Sequence, residues 1–154
     1  MNKIGTIKGK SEYSDNDHLI ITIDGLPLDD FISDFDNNGR HGYKGLVPTL
    51  LDWLENEDER KVTWTRILPA IGQTTIGPIL MCPDDCNFLC TTVVAEIKRT
   101  EKTIEWTRLG TNVSPTNKSV NKMGQEVNWF PGLQFSFDTN DYLDCIESFK
   151  KEFV

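Results

Sequence analysis

Histidine is scarce in this chain: His18 and His41 are the only two. No motif sets either beside a serine or cysteine nucleophile. HExxH, GxSxG, a glycine-rich phosphate loop and a dinucleotide fingerprint are all missing, which removes the commonest hydrolase, kinase and dehydrogenase chemistries. Long apolar runs are missing too. The longest, near Ile79, is a few residues, against the roughly 20 needed to span a membrane. The opening residues MNKIG carry no apolar signal core, so a cytoplasmic location is expected, with Cys82, Cys86, Cys90 and Cys145 as thiols. Positive charge is also short, 16 Lys and Arg against 24 Asp and Glu. The net charge of −8 makes nucleic acid a poor partner.

What is present suffices for a core. A chain of 154 residues, 38% apolar with eight Phe and four Trp, fits one α+β domain. The organising stretch is 76–96, IGPILMCPDDCNFLCTTVVAE. There an apolar strand enters a Cys-Pro-Asp-Asp turn and a second apolar strand leaves it. Residues 1–10 and 18–23 read as strands around a turn at 14–17, and 26–32 begins a short helix. Residues 45–59 read as a helix, with Pro48 in its first turn, Leu50, Leu51 and Leu54 inward and carboxylates outward. Residues 61–68 alternate as a strand.

A hairpin follows, 91–98 and 103–109, then a segment at 110–124 without period that reads as a mobile loop. Short strands at 127–130 and 133–137 precede a final helix at 138–153. Its Tyr142, Ile146, Phe149 and Phe153 recur at helical spacing, with Asp141 in the first turn and Lys150 in the last. The sum is a mostly antiparallel sheet of about six or seven strands with two main helices packed on it.

Four features bear on chemistry. Asp34, Asp36, Asn38 and Gly39 match the opening of a calcium loop, but the twelfth position is Gly45 rather than Glu and the eighth is His41. An Asn-Gly turn is the simpler reading, and a calcium- or ligand-binding module is the alternative. Cys82, Cys86 and Cys90 are evenly spaced, yet only Cys145 remains to complete a zinc set, so small buried hydrophobes are preferred over a metal or redox site. Asp84 and Asp85 read as turn formers; a small enzyme using them with the thiols is the alternative. Val62-Thr-Trp-Thr-Arg66 is echoed by Ile104-Glu-Trp-Thr-Arg108. Strand alternation would put each Arg on its Trp's face, either to bind an anion or, more simply, to pair with a carboxylate with its stem on a ring.

The acidity is local. Residues 24–60 hold ten carboxylates against Arg40, Lys44 and Arg60, while the rest is nearly balanced. The block is either a solvated face or a docking surface for a basic partner built from Asp29, Asp30, Asp34, Asp36, Asp52, Glu55, Glu57, Asp58 and Glu59.

Four stretches carry a resemblance: IDGLPLDDFI (23–32), GLVPTLLDWL (45–54), RILPAIGQTTIGPILMCPDDC (66–86) and IEWTRLG (104–110). Together they resemble small bacterial immunity proteins of polymorphic toxin and contact-dependent growth inhibition systems, and PILMCPDD is the most specific part. The resemblance implies binding and neutralisation of a cognate toxin domain, often a basic nuclease, in the cytoplasm. It implies no catalysis, cofactor or metal, and no nucleic-acid or membrane partner. Binding residues are not shared across such proteins, so none is assigned by the resemblance.

Overall fold

The computed structural model describes residues 1–10, 16–35 and 43–153. Among the described residues, nine strands and three α-helices follow in the order β1 (Ile4–Gly9), β2 (His18–Ile23), β3 (Leu26–Pro27), α1 (Leu28–Phe35), β4 (Val47–Pro48), α2 (Glu57–Arg66), β5 (Thr74–Met81), β6 (Val93–Arg99), β7 (Thr103–Asn112), β8 (Val127–Trp129), β9 (Phe135–Asp138) and α3 (Thr139–Lys150). The class is α+β, as the patterning predicts. The strands fall into two sheets rather than one, ordered β1-β2-β3 and β4-β5-β6-β7-β8, with β9 also on β7. All named strand pairs are antiparallel.

The organising stretch holds the centre of the larger sheet. In β5 and β6, Ile79, Leu80, Met81, Val93, Val94, Ala95 and Ile97 are all buried, as expected for strands covered on both faces. Pro78 has no N–H to give a neighbour, and it stands where the β5–β6 register shifts between Pro78 and Leu80. The far edge of β7 is shared end to end, β9 pairing with Thr103 to Trp106 and β8 with Gly110 to Asn112. Asn2 joins the two sheets: its N–H donates to Ser136 O (2.7 Å) and its Oδ1 accepts from Ser136 N (3.0 Å).

α3 follows the predicted pattern. Asp138 caps it, accepting from Asn140 N at 2.8 Å. Tyr142, Cys145, Ile146 and Phe149 are buried on one face, which packs on β1, β7 and β9.

The region 45–68 reverses the sequence expectation. Residues 45–56 are not a helix. Val47 and Pro48 instead pair with Met81 and Leu80 of β5, and Thr49 adds a backbone bond to Ile79 O (2.9 Å) and a hydroxyl bond to Pro78 O (2.8 Å). Leu50, Leu51 and Leu54 are inward as expected, but on a run of turns. The helix starts where the predicted one was to end. Asn56 accepts from Glu59 N (3.0 Å), and Glu57, Asp58 and Glu59 fill the first turn, where the helix dipole favours carboxylates.

The predicted strand at 61–68 is therefore largely α2. Its inward positions Glu59, Val62, Thr63 and Ile67 are buried, spaced 3, 1 and 4 apart as on a helix face.

The Trp-Thr-Arg echo is split by this reversal, one copy helical and one extended. In the extended copy a bulge leaves Thr107 between the pairs Ile97↔Trp106 and Glu96↔Arg108. The extra residue turns Arg108 off the face of buried Trp106. Arg108 binds Glu96 at 3.0 Å and lies over the Trp129 ring at 3.9 Å, so it has the carboxylate and the ring expected, but a different ring. Among the described residues Arg66 has no such pairing; it donates to the carbonyls of Ile76 (3.3 Å), Asn121 (2.9 Å) and Met123.

Those bonds help hold the segment 110–124, expected as a mobile loop. Asn112 Oδ1 accepts from Gly124 N (2.9 Å), Ser114 Oγ accepts from Glu126 N (2.6 Å), and Met123 is buried.

Candidate functional site

A groove of about 770 Å³ opens between the 53–59 stretch and the turn 83–89. Glu55, Glu59, Asp84 and Asp85 give it four carboxylates, with Trp53 and Leu89 also on its wall. Leu89 is 69% exposed, an apolar side chain presented to solvent among acids. An Asx turn sets it there, Asn87 Oδ1 accepting from Leu89 N at 2.9 Å.

Two clamps shape the turn. Cys82 and Cys90 are joined in a disulfide, with Cα atoms 6.0 Å apart. This corrects the expectation of four free thiols; Cys86 and Cys145 alone are free. The signal was available, since Cys82 leaves β5 and Cys90 precedes β6, and antiparallel partners bring such ends together. The second clamp is Glu59, whose two carboxylate oxygens each accept from Phe88 N at 3.3 Å. Phe88 is buried beneath the turn. No sequence rule pairs residues 29 apart in this way.

Glu59 is thus a structural carboxylate, only 6% exposed, which corrects its place on the expected docking face. Burial pushes its pKa above the ordinary 4.5, partly opposed by the Phe88 N–H. Asp29 is corrected likewise. It is buried, accepts from Gly45 N at 2.8 Å, and is shifted upward by burial. Asp34, Asp52, Glu55, Glu57 and Asp58 are exposed and Asp30 half-buried, while Asp36 lies outside the described residues. The structure gathers Glu55 and Glu59 with Asp84 and Asp85, which the sequence reading had set aside as turn formers. Asp29, Asp30, Asp34, Asp52 and Glu57 do not line this groove.

A carboxylate whose folded pKa is raised favours the protonated, folded form. Its contribution to stability is full below pH 4.5 and is lost as the pH rises through the folded value. Glu59→Gln keeps an oxygen for Phe88 N and removes the titration. Urea denaturation across a pH series should show wild type losing stability relative to Glu59→Gln as the pH climbs above 4.5. A constant difference would contradict this assignment.

The thiols are poorly suited to nucleophilic chemistry. Cys86 has a left-handed backbone (φ 48°) and bonds Pro83 O at 3.2 Å. Burial raises its pKa, and Asp84, Asp85 and Glu55 raise it further, the reverse of thiolate activation. Burial pushes Cys145 up to about 12. His18 is buried, edge-on to Trp53 at 5.0 Å between centroids. Among the described residues no group of three or more His, Cys, Asp or Glu is placed to hold a metal. Of the calcium-like stretch, Asp34 ends up on α1, while Asp36, Asn38, Gly39 and His41 lie outside the described residues. Also among the described residues, no helix is long and apolar enough to cross a membrane.

Fold and groove together define an α+β protein with an open acidic surface cleft. No protein-family model matches the chain, and neither a curated protein nor a solved structure matches it.

Proposed function

We propose that this protein is an inhibitor of the immunity type: it binds a cognate toxin domain and blocks it, without catalysing a reaction. The observation that carries the reading is the acidic groove. Its floor and rim come from the PILMCPDD turn, the most specific part of the resemblance, and from the acidic start of α2. Glu55, Asp84 and Asp85 line an open cleft beside exposed Leu89. Carboxylates around one apolar contact suit a basic protein surface, in which an aliphatic stem or apolar side chain meets Leu89 and ammonium or guanidinium groups meet the acids. A basic nuclease domain is the partner class this favours. Neutralisation would occur in the cytoplasm. Disulfides are rare in that compartment, and the Cys82–Cys90 bond is the feature that speaks against it.

The test first reads the gene upstream: if it encodes a large secreted protein with a variable C-terminal domain, that domain is paired with this protein. The triple variant Glu55→Lys, Asp84→Lys, Asp85→Lys leaves Glu59 and the disulfide intact. It should melt like wild type, associate about tenfold more slowly, and show a flatter dependence on salt. If the variant folds normally and protects cells as well as wild type, the partner docks elsewhere. If the upstream gene encodes no such protein and no complex forms, the inhibitor reading fails.

A further inference from the structure

On the other side of α2 lies a second cleft, of about 610 Å³, between the helix and residues 116–121. Asn56, the α2 cap, lines both clefts, yet their charges are opposite. The second carries Lys61, Arg66 and Lys118 against the single carboxylate of Asp58, a net of +2 on a chain of net −8.

Among the described residues, Lys61, Arg66 and Lys118 form no ion pair. Arg66 is held by three backbone carbonyls, which fix the guanidinium without cancelling its charge and leave Nε–H and one Nη2–H for another acceptor. Burial depresses its pKa, with no carboxylate to offset the cost. The wall adds a second kind of donor. Thr116 lines the cleft, and its hydroxyl makes no hydrogen bond to another described residue, so its O–H can be given to a ligand. Ser119 lies beside it on the same wall.

We propose that this cleft is a binding site for the phosphate group of a small molecule, with Arg66, Lys61 and Lys118 supplying charge and Thr116 and Ser119 supplying hydroxyl donors. Phosphate fits better than carboxylate. It offers three strong acceptor oxygens and close to two negative charges, against two oxygens and one charge, and the cleft holds a net +2. A nucleic-acid polymer is disfavoured because the chain as a whole is strongly acidic. The proposal is independent of the inhibitor reading and uses none of the acidic groove's carboxylates.

The experiment is an amide NMR titration of the whole protein with inorganic phosphate, set against sodium chloride at equal ionic strength. Saturable shifts are expected in 61–66 and 116–121. The Lys61→Gln/Lys118→Gln variant changes two exposed side chains and should fold unaltered. It should bind phosphate about tenfold more weakly. Thr116→Val should weaken binding as well. A parallel titration with adenosine monophosphate separates two sources. Tighter binding at the same amides identifies a phosphorylated metabolite, and equal binding identifies phosphate itself. Absence of saturable shifts overturns the proposal, as does equal response to acetate or unchanged binding in the double-lysine variant.

Discussion

Trp106→Ala is expected to remove about 4 kcal/mol of folding stability, a large share of the roughly 5–15 kcal/mol that holds a domain of this size together. Trp106 is 1% exposed and is the point where β7, β9 and α3 meet. Its ring lies edge-on to Phe137 at 5.1 Å, Phe135 at 6.2 Å and Tyr142 at 6.2 Å. Its indole N–H donates to the Tyr142 hydroxyl at 3.4 Å, and that hydroxyl donates to Ile67 O at 2.7 Å. Truncation would open a cavity among three rings and break a chain of hydrogen bonds reaching the end of α2. Phe135 and Phe137 are fixed on β9 and Tyr142 on α3, so the rings cannot all close on the space. Urea denaturation followed by near-UV circular dichroism checks the effect. Trp64→Ala is the control: Trp64 is half-buried, with one ring contact to Phe153 at 5.7 Å, and its loss should cost well under half as much. Equal losses would mean that the ring cluster is not the centre of the core.

Gly110→Ala should produce the second large effect, about 3 kcal/mol from overpacking. Gly110 stands opposite Trp129 in the β7–β8 ladder. A Cβ there would lie 2.8 Å from Trp129 Cα, 2.8 Å from Val127 Cγ1, and closer still to Asn128 O. Two of those atoms are backbone, so relief requires β8 to move away. Moving β8 also withdraws Trp129 from beneath Arg108. Hydrogen exchange at Val127 to Trp129 should accelerate more than elsewhere in the sheet. Gly9→Ala is the control, since its Cβ would meet only Ile20 Cδ1 at an ordinary 3.6 Å. If the two substitutions cost the same, the close approach of β8 at Gly110 is not what glycine provides.

The sequence by itself determined the elements whose signals are local. β1 and β2 were legible as two Ile- and Thr-containing runs around a polar turn, the β6–β7 hairpin from two strands around a polar turn, and α3 from its cap and helical spacing. The organising strands β5 and β6 were legible because strands buried on both faces are apolar throughout. The α+β class followed from these, since each is specified within a few residues of chain.

Only the tertiary structure decided the rest, because the deciding contacts join distant residues. Residues 45–54 have the spacing of a helix face, but the edge of β5 offers Val47 to Thr49 backbone partners that an isolated helix would not need. Once that run is extended, the carboxylates at 57–59 stand at a helix start instead of a helix end, and Glu59 turns inward to Phe88. The same reversal splits the expected acidic face, burying Asp29 and Glu59 as backbone acceptors and bringing Asp84 and Asp85 up to Glu55. Charge counted along the chain located an acidic segment. Which carboxylates share one groove, and which cations share the cleft behind it, depends on α2 lying between two turns that periodicity does not connect to it.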